Sequence, residues 1–229
     1  MVVLTGLLCS LVASACGGSS TKSSSTTSST TTTASAANGS SSSSAELQAL
    51  TAQVQEAKSA TFAATWTSTS SSGTVTVTLE QQPPKSVFKT SGNGSGEIIS
   101  TGTATYYCSA GSGSAATCVS ETGPNPLASL IGLYTGSTFL TAMQGFRAEM
   151  AARMAGVDVQ FSNATYSGLS ARCVSVTASG QPYKWCVARA GILAYASSSG
   201  STFQLTSYSS KVSSADFNLP AGATVMTSP

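Results

Sequence analysis

The sequence predicts an α+β domain built on a large, curled antiparallel sheet with few helices. Three observations predict it. From Thr74 to Leu79, Val75, Val77 and Leu79 alternate with Thr74, Thr76 and Thr78, the period of a strand with one buried face. Short runs of strand character recur every 8–12 residues or so, broken by Gly or Pro, as in a meander. Between residues 125 and 156 the period switches from that of a strand to that of a helix.

Residues 45–58 form the first expected element, an amphipathic helix. Leu47, Leu50, Val54 and Ala57 share a helical face, and Ser43 with Glu46 has capping-box spacing. The strand-like runs "TFAATWTST", "GTVTVTLEQ", "PPKSVFKTSG", "SGEIIST" and "TATYYCSA" come next. Helical character returns at "NPLASLIGLY" (125–134), where Pro126 suits a first turn, and at residues 137–156, which end at Gly156. In that longer helix Phe139, Met143, Phe146, Met150 and Met154 make one apolar stripe. Strands are then expected at 157–164, 168–178, 181–189, 190–196 and 201–209, before a closing "SSADFNLPAGA". A sheet of this many strands is expected to curl.

Four cysteines, Cys108, Cys118, Cys173 and Cys186, fall among the strands and allow three pairings. Hairpin geometry chooses between them. With Ser179-Gly180 as a two-residue turn, Val174 faces Trp185, Val176 faces Tyr183, and Cys173 faces Cys186. Counting outward from the Ala178–Gln181 pair, the cysteines occupy a non-hydrogen-bonded position. There the Cα atoms lie about 4.5 Å apart, close enough for a disulfide. Cys108 and Cys118 are likewise placed about Gly113, with Tyr107 opposite Val119. A metal reading lacks the short Cys-x-x-Cys knuckle.

Composition excludes several chemistries. The chain has no histidine, which removes Ser-His-Asp and Cys-His nucleophiles and most zinc sites. Phosphate-binding glycine patterns do not occur; "SGNGSGE" (91–97) has no helix after it and reads as a loop. Glu80, Glu97, Glu121, Asp158 and Asp216 are scattered without dyad spacing. No enzymatic activity, cofactor or metal is expected. Net charge is only +2 with no basic stripe, so nucleic acid is not an expected partner.

The N-terminal region reads differently. Residues 2–15 are uncharged and mostly apolar, shorter than the roughly 20 residues that span a bilayer. They suit the apolar region of a secretory signal, with small residues before the cut. Ala13-Ser14-Ala15-Cys16 followed by Gly-Gly-Ser-Ser resembles the lipobox of bacterial lipoproteins. The resemblance implies cleavage before Cys16, loss of Cys9 with the signal, and acylation of Cys16. Of residues 17–44, 20 are Ser or Thr and one, Lys22, is charged, the composition of a flexible tether. The expected organisation is a signal peptide at 1–15, a tether at 16–44 and a folded domain at 45–229. The expected location is the extracytoplasmic face of a bacterial cell membrane.

The order of elements in the domain, with "SATFAATWTST", "QPPKSVF" and the ending "ADFNLP", resembles the LolA-like fold. Within it the sequence looks most similar to the actinobacterial LprG and LppX lipoproteins. The resemblance implies an unclosed β-barrel whose helices cover an apolar cavity, used to carry a lipid or the acyl chains of a lipoprotein. The stripe Phe139, Met143, Phe146, Met150 and Met154 is the candidate lining, since Met adapts to irregular partners. Plain core packing is the competing reading of that stripe, as it is of Trp66, Phe88, Tyr106 and Trp185. Lys85, Lys89 and Arg147 are the cations considered for a headgroup. Carriage of a lipid or acylated protein by a monomer is the expected function. The alternative is an anchored interaction module with no lipid ligand; a hydrolase would need a buried carboxylate beside an activated hydroxyl.

Overall fold

The computed structural model describes residues 39–92, 95–109, 115–121, 127–135, 137, 158–178 and 180–227. By its contacts the chain divides at Glu46: residues 1–46, where helical backbone begins at Gly39, and Leu47–Pro229, which holds the sheet. The elements are α1 (Gly39–Ala57), β1 (Phe62–Ser70), β2 (Gly73–Gln82), β3 (Lys85–Ser91), β4 (Gly96–Ser100), β5 (Thr105–Ser109), β6 (Thr117–Glu121) and α2 (Leu127–Tyr134). They continue with β7 (Asp158–Tyr166), β8 (Leu169–Ala178), β9 (Gln181–Ala188), β10 (Leu193–Ser198) and β11 (Ser201–Ser209). A 3-10 turn (Ser214–Phe217) and β12 (Thr224–Thr227) end the chain.

All twelve strands among the described residues form one sheet in the order β12-β6-β5-β4-β3-β2-β1-β11-β10-β9-β8-β7. Two antiparallel meanders, β1–β6 and β7–β11, join where β1 pairs with β11. The strands at the two ends, β7 and β12, pair only inward, so the sheet is unclosed. This is the α+β architecture the sequence predicts and the LolA-like resemblance implies. Register slips between Thr65 and Trp66 and between Leu193 and Tyr195 place irregularities in the middle of the sheet. Bulges of this kind bend strands and increase twist.

Strand alternation sends two sets of side chains to two faces. Phe62, Ala64 and Trp66 of β1 share a face with Val77, Leu79 and Gln81 of β2 and with Phe203 and Leu205 of β11. The helices lie on this face. Leu50 and Val54 of α1 pack on Val174, Val176 and Val187, beside Phe161 and Trp185. From α2, the Tyr134 ring packs on Trp66, Phe88 and Phe203. The outer face is covered locally by the chain after β11: Phe217 joins Val87, Ile99 and the Cys108–Cys118 pair, with Val212 and Leu219 alongside.

Two expectations change. α1 starts at Gly39, six residues before the expected 45, so Ser43 and Glu46 lie inside the helix rather than at its start. Serine is a modest helix former, but it extends a helix already nucleated by the 47–57 segment. β12 has no counterpart among the expected strands. It pairs parallel to β6, Val225 opposite Cys118, through a long-range return that four residues without alternation cannot announce. The apolar stripe Phe139, Met143, Phe146, Met150 and Met154 lies outside the described residues, as does Cys16.

Candidate functional site

Among the buried strand side chains of the helix-covered face, one row is polar. Gln81, Ser86, Ser100 and Thr105 stand opposite one another across β2, β3, β4 and β5, and all are buried. Gln81 Nε2 donates to the carbonyls of Ala57, Lys58 and Ala60 at 2.8, 3.3 and 2.6 Å, and so ties the end of α1 to the sheet. Three acceptors on one side fix the amide's orientation, because a flip would set carbonyl against carbonyl. Its Oε1 is therefore held away from them, buried and without a partner. Ser86 Oγ, on the residue directly opposite, is also buried and unpartnered, and so is the Tyr134 hydroxyl.

Tyr134 stands over the neighbouring rows of the same face. Its ring lies 5.0 Å from Trp66, 5.5 Å from Phe88 and 5.5 Å from Phe203. Burial pushes the phenol well above its ordinary value, so it stays neutral and offers both a donor and an acceptor. Trp66 is satisfied: its Nε1 donates to Leu193 O at 2.6 Å, beside the irregularity in β10. A buried polar atom without a partner costs stability, and such groups in a folded chain call for a water, an ion or a ligand.

No Lys or Arg of β2–β5 faces this row. Lys85 and Lys89 alternate to the outer face, where Lys89 Nζ lies 3.3 Å from Glu97 Oε1. Neither can meet a headgroup beneath the helices; Arg147 lies outside the described residues. Lys89 and Glu97 instead line an open outer groove of 480 Å³ with Thr76, Thr78, Cys108 and Pro220. Trp66 is core, as expected, and Phe88 and Trp185 border the helix-covered interior. Tyr106 packs under the C-terminal segment on the outer face.

The outer face carries a carboxylate pair. Asp216 caps the 3-10 turn by accepting from Ser213 N at 2.9 Å and also hydrogen-bonds Glu80. Burial raises the Glu80 carboxyl above its ordinary value, Lys89 opposes the rise, and Asp216 and Glu97 add to it. A raised acid binds more protons in the folded than in the unfolded state, so its contribution is favourable at low pH and is lost as pH rises through the raised value. We expect Glu80→Gln to remove that loss. The melting temperature of the parent should fall relative to the variant as pH climbs above 4.5, the ordinary glutamate value. Parallel curves from pH 4 to 8 or so would contradict the assignment.

Cys108 is joined to Cys118 and Cys173 to Cys186, with Cα separations of 4.0 and 3.9 Å. The pairings are those implied by the hairpin registers, down to Tyr107 opposite Val119 and Val174 opposite Trp185. Both staples lie on the face away from the helices, so their role is mechanical. Each closes a short loop, and replacing either pair by Ala should cost roughly 2–3 kcal/mol in urea unfolding. A loss below about 0.5 kcal/mol would show that the sheet holds these hairpins without them.

No protein-family model and no curated protein sequence matches the chain. Among solved structures it is similar to MucB, at 12% identity over 77% of this chain and 64% of that one, with a TM-score of 0.49. It is similar to the Pseudomonas aeruginosa MucA/MucB complex at 12% identity over 77% and 62%, TM-score 0.48. An uncharacterized conserved protein from Thermus thermophilus follows at 10% identity over 80% and 99%, TM-score 0.46. The chain spans less than two thirds of the MucB structures it matches. No helix among the described residues is long and apolar enough to cross a membrane.

Proposed function

We propose that the chain is an extracytoplasmic lipoprotein of the LprG and LppX kind, anchored through an acylated Cys16. It binds or carries a lipid or acylated molecule beneath the helices of its unclosed sheet. One observation supports this above others: in an interior walled by Trp66, Leu79, Phe203 and Leu205, three polar atoms are buried without partners. An amphipathic guest supplies both the apolar body that such walls accept and the polar atoms that the three lack. The expected carrier is a monomer and performs no catalytic step.

A second reading, an anchored interaction module, has its own support. Tyr134 fills the space between Trp66, Phe88 and Phe203 with aromatic rings, and β12 exposes Val225 and Met226 at a sheet edge. Two measurements separate the readings. Cys16→Ser should move the protein from the membrane to the soluble fraction of its host; retention on membranes defeats the anchor. The released protein should take up a fluorescent fatty-acid methyl ester. Failure to bind any acyl probe would leave the interaction module as the account.

A further inference from the structure

We infer that Gln81, Ser86 and Tyr134 form a headgroup subsite for an uncharged, hydroxyl-bearing lipid, a diacylglycerol being the simplest example. The inference rests on the carrier reading and adds which lipid the carrier selects. Its basis is the hydrogen-bonding inventory of the three groups. Gln81 spends both amide hydrogens on the end of α1, so the only unused atom is Oε1, a pure acceptor. It must meet a donor. Ser86 Oγ, opposite it in register, and the Tyr134 hydroxyl can each donate or accept. A ligand hydroxyl satisfies Oε1 by donating and can accept from either of the others.

Anionic heads fit poorly. A phosphate or carboxylate oxygen offers Gln81 Oε1 only another acceptor. The two cations of β2–β5, Lys85 and Lys89, are on the opposite face, and an anion buried without a counter-charge is disfavoured. Tyr134 is tied to this row through β3. Phe88, two residues along β3 from Ser86 and on the same face, lies 5.5 Å from the Tyr134 ring, so α2 roofs the strand that carries Ser86.

The test uses the full chain and three probes with the same fluorescent acyl chain: a diacylglycerol, the matching phosphatidic acid and a fatty-acid methyl ester. The diacylglycerol is expected to bind about tenfold or more tightly than the phosphatidic acid. Ser86→Ala and Tyr134→Phe each remove one hydroxyl and little volume. Each should weaken diacylglycerol binding by about five- to tenfold and leave the methyl ester unchanged. The empty Ser86→Ala protein should melt no lower than the parent, because it loses a buried unpaired group. If the methyl ester binds but the two glycerolipids bind equally, or the variants change nothing, the subsite is wrong while carriage stands, and water alone fills the row. If none of the probes binds, the carrier reading falls and this inference with it.

Discussion

Trp66→Ala is expected to cost the fold about 3–5 kcal/mol through lost burial and the cavity left behind. The side chain is fully buried between Tyr134, 5.0 Å away, and Phe203, 5.8 Å away. It joins the two meanders at the β1–β11 seam and touches the roof from α2. Its Nε1 also donates to Leu193 O, beside the register slip in β10. Losing that donor adds roughly 1 kcal/mol or more. The total is a large share of the 5–15 kcal/mol or so that holds a domain together. Urea unfolding followed by circular dichroism reads it directly. Trp66→Phe keeps most of the ring packing and should lose roughly 1–3 kcal/mol. Equal losses in the two variants would show that the Leu193 bond, which both lose, and not packing carries the effect.

Gly191→Ala should be nearly as damaging for a different reason. Gly191 sits in the β9–β10 turn at φ +72°, in the left-handed region, and its amide donates to Ala188 O at 2.8 Å. A β-carbon there would collide with the carbonyl oxygen of Gln53 and come within 2.7 Å of Ala57 Cβ, both on α1. The turn approaches the helix so closely that only glycine fits. Backbone cannot yield as a flexible side chain can, so α1 must move and Leu50 and Val54 lose their seat on Val174, Val176 and Val187. The expected cost is about 2–4 kcal/mol, with faster hydrogen exchange across residues 47–57. Gly200→Ala is the control. Its φ is +81°, but nothing lies within 4 Å of the added carbon, so it should show only the backbone strain of about 1–2 kcal/mol. Equal losses would show that strain, not the helix contact, governs Gly191.

What can be read without the structure is local. The Cys173–Cys186 and Cys108–Cys118 registers follow from counting outward from one turn each, and the pairings agree residue by residue. The alternation that marks β2 also puts Gln81 on the same side as Val77 and Leu79, so a polar side chain on a buried face is in plain view. Its partners are not: the carbonyls of Ala57, Lys58 and Ala60 reach it only once α1 has docked. The same alternation puts Val87 and Lys89 together, away from Ser86 and Phe88, and removes Lys89 from the headgroup candidates. β12 pairs across a long sequence separation, and no local pattern encodes such a partner. Apolar periodicity marks the start of α1 only where that period begins, but helical backbone extends into the serine run, where no such period exists.

The claim that this interior holds an amphipathic guest is tested most directly by native mass spectrometry of the full chain purified from its own host, compared with the Ser86→Ala variant prepared identically. The account predicts a non-covalent adduct on the parent whose mass, after release, is that of an uncharged acyl lipid bearing a free hydroxyl. Occupancy should be several-fold lower in the variant. A parent that arrives bare, with the same melting behaviour before and after lipid extraction, would contradict the account and leave an anchored interaction module.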